Sequence, residues 1–277
     1  MRSAANLVSS VIAGLFYRLS LAATLAFLLL PMAVTALLSF DGRDFLGPFP
    51  PPSLSLRWYE AFFANSAYMD GLVTTLKLAL VATVISVAAG TAAALALDRM
   101  KGTSRALIET AFLMPKFIPT VVIGFSILVA ASASGIFDPF TRLLAGHTVI
   151  TLPFVVRSVL ASLSGIKGNL TEAALSLGAS PLRAWAEITL PLARTGIVAG
   201  GLMAFVMSFD EVAVSLFLSD AFTQTLPVTL VAEMRANLNL TVAAVSTIMS
   251  LFTLAIVIVL DRVVGLDRVV GQGMYRS

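Results

Sequence analysis

Four charged side chains interrupt runs that are otherwise apolar: Lys116 in AFLMPKFIPTVV, Arg157 in ITLPFVVRSVLA, and Asp210 with Glu211 in VMSFDEVAVSLF. Their chemistry is attraction of opposite charge rather than bond-making. A charge at the centre of a bilayer costs about 2.5–3.5 kcal/mol on insertion scales, so such a residue is paired or lines a polar path. Neighbours on a helix point about 100° apart, so Asp210 and Glu211 divide two roles: one lines a path, the other pairs within the bundle. An acid here meets an ammonium. Lys116 and Arg157 meet an anion, Arg157 with a bidentate fork if the anion is a carboxylate or phosphonate. The alternative is that the acids and these two cations neutralise one another as packing ion pairs. Lys77, near the outer end of its run, is expected to snorkel. His147 opens another apolar run and is expected to be interfacial. It is the sole histidine of a chain without cysteine, which excludes a multi-histidine metal site, a disulfide and a thiolate nucleophile. No Gly-x-x-x-x-Gly-Lys-Ser/Thr loop occurs, so the chain has no phosphate cradle of its own.

The elements that carry these charges follow from composition. The 277 residues are 58% hydrophobic and only 12% charged, about half the charged share of a soluble domain. Crossing the hydrocarbon core takes about 20 apolar residues. Six spans answer to that, at about 19–38, 71–97, 107–131, 143–163, 196–218 and 241–260. The expected fold is an all-α polytopic bundle, one transmembrane domain over 1–277. The first run is too long for a signal-peptide core of roughly 7–15 residues and is read as retained. Ser55–Phe63 reads as a short interfacial helix, with Trp58 and Tyr59 at headgroup level. Asp261–Ser277 reads as a short amphipathic tail.

Arg2, Arg18, Arg99, Lys101, Arg105, Lys167, Arg183, Arg194, Arg262, Arg268 and Arg276 fall on one side of these spans. Arg43, Arg57, Arg142 and Arg235 fall on the other. The positive-inside rule puts both termini in the cytoplasm. The net charge of +3 is then a topology signal and does not argue for nucleic acid.

One long cytoplasmic stretch, 164–195, breaks the apolar pattern. Leu170–Leu177 reads as a short helix, with Gly178 at the C′ position that favours positive φ. Ser180-Pro181 restarts the chain as N-cap and first helical residue. A second short helix follows, ended by Pro191. Ala173, Ala174 and Leu177 share one face of the first helix, and Leu182, Trp185 and Ile188 one face of the second.

Glu172-Ala173-Ala174, three residues, Gly178, nine residues, Ile188, one residue, Leu190-Pro191 resembles the EAA loop of binding-protein-dependent ABC importer permeases at every signature position. Trp58-Tyr59, the span 75–99, His147 with Leu152-Pro153-Phe154-Val155-Val156, and Ser208-Phe209-Asp210-Glu211-Val212 are similar to the second permease of spermidine/putrescine-type importers. The resemblance implies an ABC type I importer permease fold in the bacterial inner membrane, with no catalytic residue. It implies a pathway for a small amine-bearing solute. The partners it implies are two ATPase subunits that carry ATP and Mg, a second permease making a heterodimer, and an external solute-binding protein. It assigns Glu172, Ala173, Ala174, Gly178, Ile188, Leu190 and Pro191 to ATPase coupling, and the acid pair Asp210-Glu211 to the pathway. Polyamine permeases tend to carry an acid after the membrane-embedded proline, where this chain has Thr120 after Pro119. Arg157 likewise replaces an apolar residue. These departures, with Lys116, keep a zwitterionic solute, such as an amino acid derivative or aminophosphonate, as the alternative. An ion-coupled carrier using Asp210 or Glu211 and a membrane scaffold are the competing classes.

Overall fold

Long uninterrupted apolar runs form long helices because every backbone polar group must be satisfied within the segment once water is gone. The structure, a computed structural model, describes residues 4–45, 47–164, 169–236 and 239–264. The expectations for Arg2, Lys167, Arg268, Arg276 and the tail beyond 264 lie outside the described residues. Among the described residues, five helices qualify as membrane spans by composition and length, and a sharply bent pair qualifies together as a sixth. Among the described residues the fold is all-α, with no strand beyond an isolated bridge between Asp41 and Leu54.

The chain divides into two compact units. The first is Met1–Asn65 with Glu233–Leu251. Its α1, Ala4–Leu38, runs 35 residues, about 52 Å and well beyond a 30 Å hydrocarbon core. Arg18 therefore lies inside α1 rather than before it, and no residue from Ile12 to Leu38 is buried. The short helix α2 forms at Arg57–Ala64. Its aromatics are tied into this unit by hydrogen bonds. The Trp58 indole Nε1 donates to the Asp41 carbonyl at 2.7 Å, and its ring packs with Leu240 and Ala244. The Tyr59 hydroxyl shares a 2.7 Å hydrogen bond with Ser39.

The second unit is Ser66–Ala232 with Phe252–Ser277. Its centre is α6, Pro139–Ser164, packed against α3, Ser66–Arg99, and α9, Leu190–Phe209. Small residues permit the approach, as in other membrane bundles. Gly90 of α3 faces Val155 and Val156, and Gly200 of α9 faces Val155 and Ser158. A Cβ at Gly196 would stand 2.5 Å from the Ser158 carbonyl oxygen, so only glycine fits there.

Two expected spans are broken. The third is α4, Gly102–Leu113, a 3₁₀ turn at Met114–Phe117, and α5, Thr120–Ala133, with a bend of 104°. Pro115 starts the tight turn, and Pro119, which cannot donate, sits just before α5. The fifth ends at Phe209 and resumes as α10, Ala213–Leu218. A further helix, α11, Leu226–Ala236, lies in what reads as an outer loop. Its Leu226 N–H donates to Thr75 Oγ1 of α3 at 2.8 Å. The last helix, α12, is Thr241–Val264.

Candidate functional site

The turn around Gly178, a helix–turn–helix knuckle, is built from local backbone rules. The first short helix, α7, is Asn169–Ser176. Gly178 takes φ +88°. Its N–H donates to the Leu175 carbonyl at 3.1 Å, and the Ala179 N–H reaches back to the Ala174 carbonyl at 3.0 Å. Those two bonds are a Schellman motif, with Gly178 at C′ as its position requires. Ser180 then caps α8, Pro181–Ala184, by accepting from the Arg183 N–H at 3.3 Å.

Pro191 does not end this helix. The chain stays helical from Pro181 to Phe209, through a π-helical stretch at Trp185–Thr189 in which the Leu190 N–H bonds to the Trp185 carbonyl five residues back. A proline clashes with the carbonyl four residues before it, and the wider π turn gives that ring room. Ala184 is buried, and Trp185 and Leu190 pack on the Leu95–Val159–Leu163 cluster. Leu182 lines one hollow with Trp185 and Leu95 but is 73% exposed, and Leu177 is 89% exposed. Ala173 is exposed, Ala174 and Ile188 are half-buried, and Pro191 is exposed. Thr171 and Thr189 hydroxyls tie α7 to the π segment at 3.3 Å, and Arg183 pairs with Glu187 at 3.0 Å. Glu172 lies within α7, and its side chain is outside the described residues. The knuckle is thus rooted by Ala184, Trp185 and Leu190 and presents Leu177 and Leu182 outward.

The acid pair sits at the break in the fifth span, and its two members are used differently. Glu211 Oε1 accepts from the Val214 N–H at 3.0 Å, capping α10. Asp210 closes α9 and leaves its side chain exposed. Across the bundle, Lys116 Nζ lies 4.7 Å from the centre of the Phe154 ring, a cation–π contact. Arg157 is exposed on α6, and Thr120 is the first residue of α5, half-buried. Among the described residues, none of Lys116, Arg157, Asp210 and Glu211 forms an ion pair within the chain. The mutual-neutralisation alternative is therefore not what the structure has.

The register of α6 against α9 separates these charges. Gly196 faces Ser158 and Ser162, Gly200 faces Val155, and Ser208 meets His147. The helices are antiparallel, and Asp210 stands level with Ala145, about 12 residues and ~18 Å along the axis from Arg157. The acids occupy one level of the bundle and the two cations another.

His147 is enclosed by the protein. It is fully buried, with Nδ1 2.7 Å from Ser208 Oγ and Nε2 2.9 Å from Ser215 Oγ. The readable signal was the hydroxyl on either side of the acid pair, within a turn of each. A lone histidine in an apolar run needs two polar partners, and these two serines are the polar residues flanking the break.

Residues 86–266 match the family of binding-protein-dependent transport system inner membrane components. The chain belongs to that family. It is a permease subunit of an ABC importer, a multi-pass inner-membrane transport component and not an enzyme. Its system includes a solute-binding protein. Its relatives include the spermidine/putrescine transport system permease protein PotC of Haemophilus influenzae, 29% identical over 231 residues that cover 83% of this chain and 89% of that one. The putrescine transport system permease protein PotI of Escherichia coli is 29% identical over 80% of this permease and 81% of its own length. Among solved structures, a bacterial ABC transporter involved in the import of the acidic polysaccharide alginate superposes with a TM-score of 0.71. It is 15% identical and covers 95% of this permease and 98% of that chain. The same permease fold recurs in the alginate transporter in complex with an alginate pentasaccharide-bound periplasmic protein, TM-score 0.71, 15% identity, 98% of each chain.

Proposed function

We propose that this permease passes a small amine-bearing solute of the polyamine kind, handed to it by a solute-binding protein. It pairs with a second, different permease. Two ATPase subunits, which carry ATP and Mg, dock on the knuckle. Both termini and the knuckle face the cytoplasm, as the Lys/Arg asymmetry favours. Leu177, Leu182 and the Ala173-Ala174 face offer the ATPases an apolar helical surface of the helix-in-groove kind, while Trp185 and Leu190 transmit its movement to the bundle core.

The observation that carries the substrate reading is Asp210: an exposed carboxylate at a break in a membrane helix, with no cation of the described residues paired with it. An ammonium would complete it. Lys116 and Arg157 favour a second reading, a solute that also bears an anionic group. The ~18 Å between their level and that of Asp210 exceeds the few ångström between the charges of an amino acid, so one small zwitterion would meet them in succession rather than together. The test is uptake of spermidine and putrescine by the reconstituted importer with Asp210→Asn. The expected result is a loss of transport of at least about tenfold, the cost of one charge-assisted contact, with the complex still co-purifying. Unchanged uptake of both amines would reject Asp210 as a pathway residue.

A further inference from the structure

The fifth span is interrupted at Asp210, Glu211 and Val212, and one buried ring touches the chain on both sides of the interruption. Ser208 lies in the last turn of α9 and Ser215 in the first turn of α10, and His147 of α6 engages both. We infer that His147 is a positioning residue for transport: by clamping Ser208 to Ser215 it fixes the break and with it the place of the Asp210 carboxylate in the pathway. This rests on the reading of Asp210 given above.

The direction of the hydrogen bonds supports a single geometry. Ser215 has one proton, and it is given to the Glu211 carbonyl at 2.9 Å. Toward the ring Ser215 therefore accepts, so Nε2 carries the hydrogen. Nδ1 then accepts, and Ser208 donates to it at 2.7 Å. The relay runs Ser208, His147, Ser215 and ends on the backbone of the acid pair. It is anchored from behind as well. Thr151 gives its proton to the His147 carbonyl at 2.6 Å, and Ser86 of α3 joins Thr151 at 2.7 Å. Three other helices are thus bound to the α10 side of the break. In an apolar bundle each of these groups is costly to leave unpaired, so the network holds one arrangement rather than several. Glu211 is already committed to capping α10, which leaves Asp210 as the group whose position the clamp sets.

The chain has no cysteine, so a single introduced thiol on this subunit reports cleanly. In the assembled importer carrying Asp210→Cys, His147→Leu is expected to change the rate of modification by a polar maleimide severalfold. A reporter at Thr223→Cys should keep its rate. With Asp210 restored, His147→Leu should raise the KM for spermidine or putrescine about tenfold, the scale of one or two lost buried hydrogen bonds, with a smaller change in kcat. His147→Gln, which keeps one donor and one acceptor, should recover part of the loss. If His147→Leu does not assemble, Ser208→Ala and Ser215→Ala serve: each should raise KM, and the pair together should do little more than either alone. Unchanged labelling at position 210 together with unchanged KM in an assembled complex overturns the clamp. Failure of Asp210→Asn to affect uptake rejects the pathway reading instead, and the labelling shift then tests the clamp by itself.

Discussion

Asp41 shows what a single residue does to the loop after α1. Its carboxylate is buried and gripped by the Arg43 side chain, which also donates to the Pro48 carbonyl at 3.0 Å. The hydrogen bond from Arg43 lowers the Asp41 pKa from its usual 3.8 by more than burial raises it. A carboxyl held low in the folded state contributes stability in full above 3.8, and that contribution is lost only as pH falls through the lowered value. Protease resistance of the 41–57 loop should therefore be flat from pH 7 to pH 5 in the native protein. Arg43→Gln should weaken it at neutral pH, because a buried carboxylate is left without its cation. Equal resistance of the two at pH 7 would show that the pair contributes nothing to the loop. The mid-span charges were found from the sequence because charge in an apolar run is conspicuous. Which acid is exposed was not, since it depends on where the helix breaks.

At the scale of the element, caps were legible and continuations were not. Gly178, Ser180 and Pro181 each act on bonds within a few residues, so their roles follow from local order. Pro191 was misread as a terminator because its effect depends on whether five neighbours can widen into a π turn. Pro119 marked an interruption but gave no angle, since the 104° bend goes with distant partners: α4 packs on α6, and α5 on α10 and α6. The helix α11 was missed for a related reason: Pro227 and a nearby acid and base resemble a loop, while Leu226 and Leu230 are buried. The Schellman turn makes a sharp prediction. Gly178→Val places a β-branched residue at φ +88°, a strain of about 1 kcal/mol or more. With open space around that Cβ, the cost is conformational rather than steric. Reconstituted complexes should still assemble but show ATP hydrolysis uncoupled from uptake. Normal substrate-stimulated hydrolysis with normal uptake would count against the turn as a coupling element.

For the molecule as a whole, six apolar runs and their flanking cations were enough to give the class of fold. Single-cysteine labelling checks the orientation: Pro50→Cys and Thr223→Cys should react with an impermeant reagent in intact cells, and Lys101→Cys and Ser180→Cys only after permeabilisation. Reaction of Ser180→Cys from outside would invert the topology. What could not be read in advance is which faces of these runs meet. That depends on small residues such as Gly90, Gly196 and Gly200, whose partners lie far away in the chain, and on a buried histidine whose two serines come from another span.

The π stretch at Trp185–Thr189 also acts as a phase shift. It inserts one residue into an otherwise regular screw, so the helix below it and the helix above it are out of step by about 100°. The face that α9 turns to the bundle and the direction in which the knuckle points are therefore set independently, although one continuous helix carries both. Substitutions along α9 can loosen its packing but cannot re-aim the knuckle. A change in residue number between Ala184 and Leu190 would do that, which makes the length of this short segment, more than its composition, the quantity that fixes where the knuckle points.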